Sequence, residues 1–281
     1  MREIHVDQIR ETVAQLCKDA TCILPEDVVG ALQTARATEQ SPVATKVLDQ
    51  IILNAELAGD EMLPLCQDTG TTVLFLEVGQ DAHIVGGDLN QALKEGVSKG
   101  YTEGFLRASI VDKPFSDRTN TKDNSPPIVH TEIVPGDHLR IQLMPKGGGC
   151  ENMSRFTIML PAAGKRGITE FVLNTVEESG GNPCPPIIVG LGIGGSAEYA
   201  MLMAKKALTR KIGDPNPDEE EAEFEAQLLE KINALGLGPQ AVGGTSTALG
   251  VHIMTHPTHV ASLPVAINLQ CHSARLKEAT L

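Results

Sequence analysis

The chain has 281 residues with 41% apolar, 3% aromatic and no Trp, so its core must be built from aliphatic side chains. Its formal charge is −13 and its densest charge run, Asp218, Glu219, Glu220, Glu221, Glu223 and Glu225, is acidic, which argues against a nucleic-acid binder, since such a protein usually turns a basic face to phosphates. No apolar run reaches the roughly 18 residues of a membrane span, and MREIHVDQIRETVAQLC carries no signal-peptide pattern, so a cytoplasmic protein is expected.

In chain order, Val6, Ile9, Val13 and Leu16 fall at helical spacing and predict a helix over 4–20. Helices are also predicted over 25–37, with Pro25 near its start, and over 42–58, with Val47, Ile51, Ile52 and Leu57. Leu63-Pro64-Leu65-Cys66-Gln67-Asp68-Thr69-Gly70 is turn chemistry, followed by a strand from Thr72 to Val78. A helix over 88–99 and a short strand-like run from Arg107 to Val111 come next. The polar stretch 116–127 ends in two prolines and is expected to be a loop, and a seam between two lobes. Ile128–Val134 and His138–Met144 read as strands joined by Pro135-Gly136-Asp137. In the second, Leu139, Ile141 and Leu143 alternate with His138, Arg140 and Gln142, a half-buried antiparallel pattern. Helices are predicted over 164–179, 196–210 and 218–235, the last ended by Gly236 and with its acidic run as a solvated face. Strands are predicted over 186–191 and from Val260 to Leu269, which runs into Cys271. Hairpins mixed with strand–helix units predict an α+β (mixed α/β) fold, helices surrounding one or two small sheets, over one domain spanning 1–281.

Three groups of residues can carry chemistry. Gly190-Leu191-Gly192-Ile193-Gly194-Gly195 satisfies the dinucleotide fingerprint G-x-G-x-x-G between an apolar run and a helix. No second strand–helix unit with an acidic residue follows it, so tight strand–helix packing, or close approach of backbone to a cofactor, competes with nucleotide binding. The six cysteines, at 17, 22, 66, 150, 184 and 271, form no CxxC pair, which argues against a zinc ribbon or a thioredoxin-type site. Cys66, Cys184 and Cys271 lie at boundaries of regular elements, where side chains can converge on a metal; ordinary buried thiols are the competing reading. Cys17 lies on the apolar face of the first helix, Cys22 in a loop, and Cys150 after the glycines. Gln67 and Asp68 directly follow Cys66. Asp68 is either a proton-transfer group beside a metal or an Asx turn into the strand. Lys146-Gly147-Gly148-Gly149 is either a backbone nest for a carboxylate or a flexible hairpin end, and Arg107 either a carboxylate clamp or a surface residue.

Together, Leu65-Cys66-Gln67-Asp68-Thr69-Gly70, Lys146-Gly147-Gly148-Gly149-Cys150-Glu151-Asn152, Asn182-Pro183-Cys184-Pro185-Pro186 with Gly190–Gly195, and His259-Val260-Ala261-Ser262-Leu263-Pro264-Val265 leading to Cys271 resemble the class I fumarate hydratase family. The resemblance runs from about residue 5 to residue 277, and its four motifs are in the family's order. It implies an oxygen-sensitive [4Fe-4S] cluster held by Cys66, Cys184 and Cys271, with one iron left open for substrate. It implies substrate-binding roles for Gln67, Arg107, Gly148 or Gly149, and His259, and makes Asp68 the expected proton-handling group. Where the family often has Ser after the glycines this chain has Cys150, which is not assigned as a ligand. The implied reaction is reversible hydration of fumarate to (S)-malate. Tartrate dehydratase alpha subunits are closely similar, but Thr131-Glu132-Ile133-Val134-Pro135-Gly136 and Glu151-Asn152-Met153 look more like the fumarase branch. A non-catalytic electron carrier or iron sensor is the alternative from a different class; an electron carrier usually has four thiolate ligands. One-chain members of the family continue past the last cysteine into a further domain that supplies a base, so a separate beta subunit is expected here, in an assembly of two alpha and two beta chains.

Overall fold

The computed structural model describes residues 2–281. The elements are β1 (Arg2–His5), α1 (Val6–Cys22), α2 (Glu26–Thr38), α3 (Pro42–Glu61), β2 (Thr71–Gly79), β3 (Ala82–Val85), α4 (Leu89–Glu103), β4 (Ile128–Val134), β5 (Leu139–Lys146), α5 (Gly148–Glu151), β6 (Arg155–Met159), α6 (Gly164–Ser179), β7 (Ile187–Gly194), α7 (Ala197–Ala207), α8 (Glu219–Ala234), β8 (Ala248–His256), β9 (Leu263–Gln270) and β10 (Lys277–Thr280). The class is α+β, as expected. The chain divides into two units: residues up to Pro25 with Ala55–Gly148 and Arg275–Leu281, and Glu26–Asn54 with Gly149–Ala274.

In the first unit a four-stranded sheet has the order β10-β5-β2-β4, and β1 pairs with β3 in a separate parallel ribbon. The sheet's inner face, Leu74, Leu76, Leu139, Ile141 and Leu143, packs against the apolar stripes of α1 and α4: Ile9, Val13, Leu16, Leu93 and Val97. These are the 3.6-residue and two-residue periods meeting in one core. β4 and β5 are not the hairpin their sequence suggests. β2 lies between them, parallel to β4 and antiparallel to β5. The 134–138 connection instead wraps the end of β2: Gln80 N–H donates to Val134 O, Asp81 N–H to Gly136 O and Gly79 N–H to His138 O, each at 2.8 Å.

The stretch 116–127 lies inside this unit and is no seam; the chain changes unit at other points. Its polar side chains tie it down. Asn120 Nδ2 donates to Ala108 O at 3.0 Å, and Asn124 accepts from Ser109 N–H at 2.7 Å while donating to Gly70 O at 3.0 Å. Arg107–Val111 forms no strand beyond the isolated bridge of Val111 to Asn120.

In the second unit the sheet order is β6-β9-β7-β8, with β7 parallel to β8 and antiparallel to β9. Ile187, Val189 and Leu191 on one face of β7 join a core with Ile168, Val172, Phe224 and Leu228 of α6 and α8. The other face carries Gly190 and Gly192, against which α7 lies. A Cβ at these positions would stand 2.1 Å from Ala204 O and 2.0 Å from Ala200 O. The glycine fingerprint is therefore the footprint of a helix pressed onto a strand. The acidic run of α8 is mostly solvated, but Glu225 is buried and accepts from Arg210, from Asn216 at 2.8 Å and from Ile253 N–H at 2.6 Å.

Candidate functional site

In the first unit the segment Cys66–Gly70 leads into β2. It is neither helix nor strand, yet its backbone is fully occupied. Gln67 O accepts from Arg107 Nη1 at 3.5 Å, Asp68 O from Arg275 Nη1 at 2.5 Å, Thr69 O from Tyr101 Oη at 2.9 Å and Gly70 O from Asn124 Nδ2 at 3.0 Å. Four successive carbonyls are each held by a side chain from elsewhere in the unit. Buried or half-buried carbonyls need such partners, and here they fix the direction of each peptide in turn. The Thr69 hydroxyl returns a bond to Arg107 O.

The side chains of this turn are ordered as well. Asp68 N–H donates to Cys66 Sγ at 3.4 Å. The Asp68 carboxylate accepts from Gly70 N–H at Oδ1 (2.9 Å) and from Gly148 N–H at Oδ2 (2.7 Å). The Asx turn weighed from the sequence is thus present, and Gly148 adds a second donor. The 146–149 segment is not an open nest: Lys146 ends β5, Gly148 opens one helical turn, and its N–H already serves Asp68. Gln67 and Arg107 are exposed, Cys66 and Asp68 half-buried.

In the second unit Cys184 precedes β7 and Cys271 follows β9, and these strands pair antiparallel with Ile188 opposite Gln270. The ladder brings the two cysteine backbones side by side. Cys184 O accepts from His272 Nδ1 at 3.0 Å, and His272 N–H reaches it at 3.4 Å. Gln240 braces the same loop through Pro185 O, at 2.8 Å from its N–H and 2.9 Å from Nε2. Cys184 has φ +54°, a left-handed conformation that side-chain residues rarely adopt. Cys271 Sγ points to Ser273 O at 3.7 Å. Gly149 is exposed and close to Asn182 O; His259 is exposed in the β8–β9 connection, with Nδ1 accepting from Ala261 N–H at 3.2 Å.

The six cysteines form no disulfide and fall into two kinds. Cys17, Cys22 and Cys150 are buried, and burial pushes the thiols of Cys17 and Cys22 up, away from thiolate. Cys66, Cys184 and Cys271 are half-buried or exposed on turns, the setting in which a thiolate can meet a metal. Among the described residues no three His, Cys, Asp or Glu side chains are grouped as ligands of a single ion. A cubane cluster asks for wider spacing, because each sulfur binds a different iron. Thiols on irregular backbone are the donor type that such a cluster takes.

The sequence did not mark Tyr101, Asn124 or Arg275. Tyr101 lies on the apolar stripe of α4, four residues after Val97, and reads as core. Asn124 sits in a polar loop, and Arg275 follows Cys271 by four residues, which was its only signal.

Comparison with known proteins adds one family and several close relatives. A family model described as fumarate hydratase (Fumerase) matches residues 10–280. The putative L(+)-tartrate dehydratase subunit alpha of Methanocaldococcus jannaschii is 42% identical over 276 residues, 95% of this chain and 95% of its own. The L(+)-tartrate dehydratase subunit alpha of Escherichia coli is 34% identical over 274 residues, 96% of this chain and 89% of its own. No helix among the described residues is long and apolar enough to cross a membrane.

Proposed function

This chain belongs to the fumarate hydratase (Fumerase) family of hydro-lyases, and on that premise we propose that it is the cluster-binding alpha subunit of a fumarate hydratase. Its reaction is the reversible addition of water to fumarate, giving (S)-malate. One observation carries this: the match over residues 10–280 takes in Cys66, Asp68, Arg107, Cys184, His259 and Cys271 together. L-tartrate dehydration is the second reading, favoured by the names of the relatives. Both reactions make or break a carbon–oxygen bond beside a carboxylate. Those relatives are also named as alpha subunits, which supports a beta partner; we propose that it is of ~200 residues, about one domain, and that the assembly is α2β2.

Cys66, Cys184 and Cys271 are the residues that would hold a [4Fe-4S] cluster. When bound, the cluster supplies a Lewis-acidic iron for a substrate oxygen. Asp68 takes or gives the proton on the hydroxyl side of the reaction. Its two N–H donors, from Gly70 and Gly148, hold the carboxylate in one orientation and leave further lone pairs for substrate. Arg107, exposed beside the turn, and the exposed amide of Gln67 bind a substrate carboxylate. Gly149 and His259 are assigned to substrate binding with them, while the base for the C–H proton is assigned to the beta subunit.

The deciding experiment is anaerobic co-expression with the neighbouring reading frames, followed by parallel assays with fumarate and L-tartrate. Malate formation at a higher kcat/KM than tartrate loss is the expected result. Turnover of L-tartrate with fumarate inert would replace the first reading by the second. The chain alone, loaded with cluster, should be nearly inactive until the partner is titrated in; full activity without it would sink the two-subunit proposal.

A further inference from the structure

Arg275 is the most deeply buried arginine of the chain, 1% exposed, and it forms no ion pair among the described residues. Its Nη1 donates to Asp68 O, and its Nε, also buried, has no partner. Other half-buried arginines are treated differently: Arg140 pairs with Glu77 and Glu278, and Arg210 with Glu225. Asp68's own carboxylate is taken up by the N–H groups of Gly70 and Gly148. A buried cation without an anion is strongly destabilising. No carboxylate of the described residues forms an ion pair with it, so its charge is open to an anion from outside the chain.

Arg275 is bonded to the turn that carries Cys66, and Asp68, whose carbonyl it holds, donates its N–H to Cys66 Sγ. An iron–sulfur cluster with three thiolate ligands is net anionic. We propose that Arg275 is a positioning residue whose charge offsets that of the cluster at Cys66, while its hydrogen bond fixes the peptide of Asp68. This rests on the cluster reading given above. Lys cannot replace Arg fully, since an ammonium keeps the charge but loses the planar fork.

The test compares Arg275→Gln and Arg275→Lys with wild type in the anaerobically loaded two-subunit enzyme. The readouts are the cluster's reduction potential, kcat, and the thermal midpoint of the cluster-free chain. Arg275→Gln should shift the potential to lower values, because a nearby positive charge eases electron uptake. It should lower kcat by roughly tenfold or more, the scale of a displaced catalytic group. It should not lower the midpoint of the cluster-free chain, whereas a purely structural arginine would. Arg275→Lys should keep the wild-type potential with reduced kcat. A wild-type potential and kcat in Arg275→Gln would overturn the proposal. If that variant does not fold, Arg275→Lys decides: a potential lowered despite the retained charge, or an unchanged kcat, counts against it. Cluster retained after Cys66→Ser would instead remove the cluster reading, a separate failure.

Discussion

In the first unit the Cys66 turn hangs from side chains: Arg107, Arg275, Tyr101 and Asn124 each hold one of four consecutive carbonyls. In the second, Cys184 and Cys271 stand at the ends of paired strands and are placed by the sheet itself, with His272 as a clasp. The first arrangement carries Asp68, Gln67 and Arg107, the groups proposed to meet substrate, and can be retuned by changing one hydrogen bond. The second holds Cys184 and Cys271 and is stiffened by β7 lying hard against α7. Function and stability should therefore separate between the two, with lesions of the web felt in turnover and lesions of the sheet felt in folding.

The largest expected effect ignores that distinction. Cys66→Ser, Cys184→Ser and Cys271→Ser should each abolish cluster retention and activity, while Cys17→Ser and Cys22→Ser keep both; iron and sulfide analysis with the EPR signal checks this. A cluster surviving all three replacements would end the assignment. Next in size, Asp68→Asn should lower kcat by about 10²–10⁴-fold with cluster content retained. Asn keeps one acceptor oxygen but cannot exchange a proton. If kcat stays near normal in the assembled enzyme, the carboxylate is only an Asx turn. Arg107→Ala should mainly raise KM, since it removes the proposed carboxylate clamp and no chemical step.

On the sheet side, Gly192→Ala places a Cβ 2.0 Å from Ala200 O, a contact with backbone that no rotamer relieves. About 3 kcal/mol of destabilisation is expected from such overpacking, read from urea unfolding of the chain. The variant that still folds should load cluster and turn over normally. A fully stable Gly192→Ala would mean that α7 can retreat, and that the sheet is not the stiff side of the comparison.

How much of this was legible in the sequence follows from range. Helices α1, α2 and α6 were visible because a 3.6-residue stripe is a local signal, and β2 and β7 because their apolar runs are flanked by turn residues. The order β10-β5-β2-β4 was not, because alternation in β5 says that a face is buried without saying which strand lies beside it. β10, Lys-Glu-Ala-Thr, was missed as a polar edge strand. The cysteine turns were found as breaks between elements. Their supports were not, since Tyr101 looks like core, Asn124 looks like loop, and the partner of Arg275 lies more than two hundred residues earlier.

The smallest effect tests the web at its most hidden member. Tyr101 is buried on α4, donates to Thr69 O and accepts from Thr72 Oγ1 at 3.3 Å. Tyr101→Phe keeps the ring in the core and removes only the hydroxyl, so Thr69 O loses its donor. That leaves a buried carbonyl without its partner, a loss of about 1–2 kcal/mol, with a modest fall in kcat because the neighbouring peptide carries Asp68. The pH dependence gives an independent check. Burial pushes the Tyr101 phenol up from its ordinary value of 10.0, and nearby Arg275 only partly offsets this. A folded-state pKa raised above the unfolded one means that the native state holds its proton longer. The corresponding stability is fully present below about pH 10 and lost as pH rises through the folded value. Wild type should therefore lose stability more steeply than Tyr101→Phe above about pH 10, in urea midpoints measured across that range. Parallel curves for the two chains would mean that the phenol is solvated in the folded state, and that the Thr69 peptide is held by its neighbours alone.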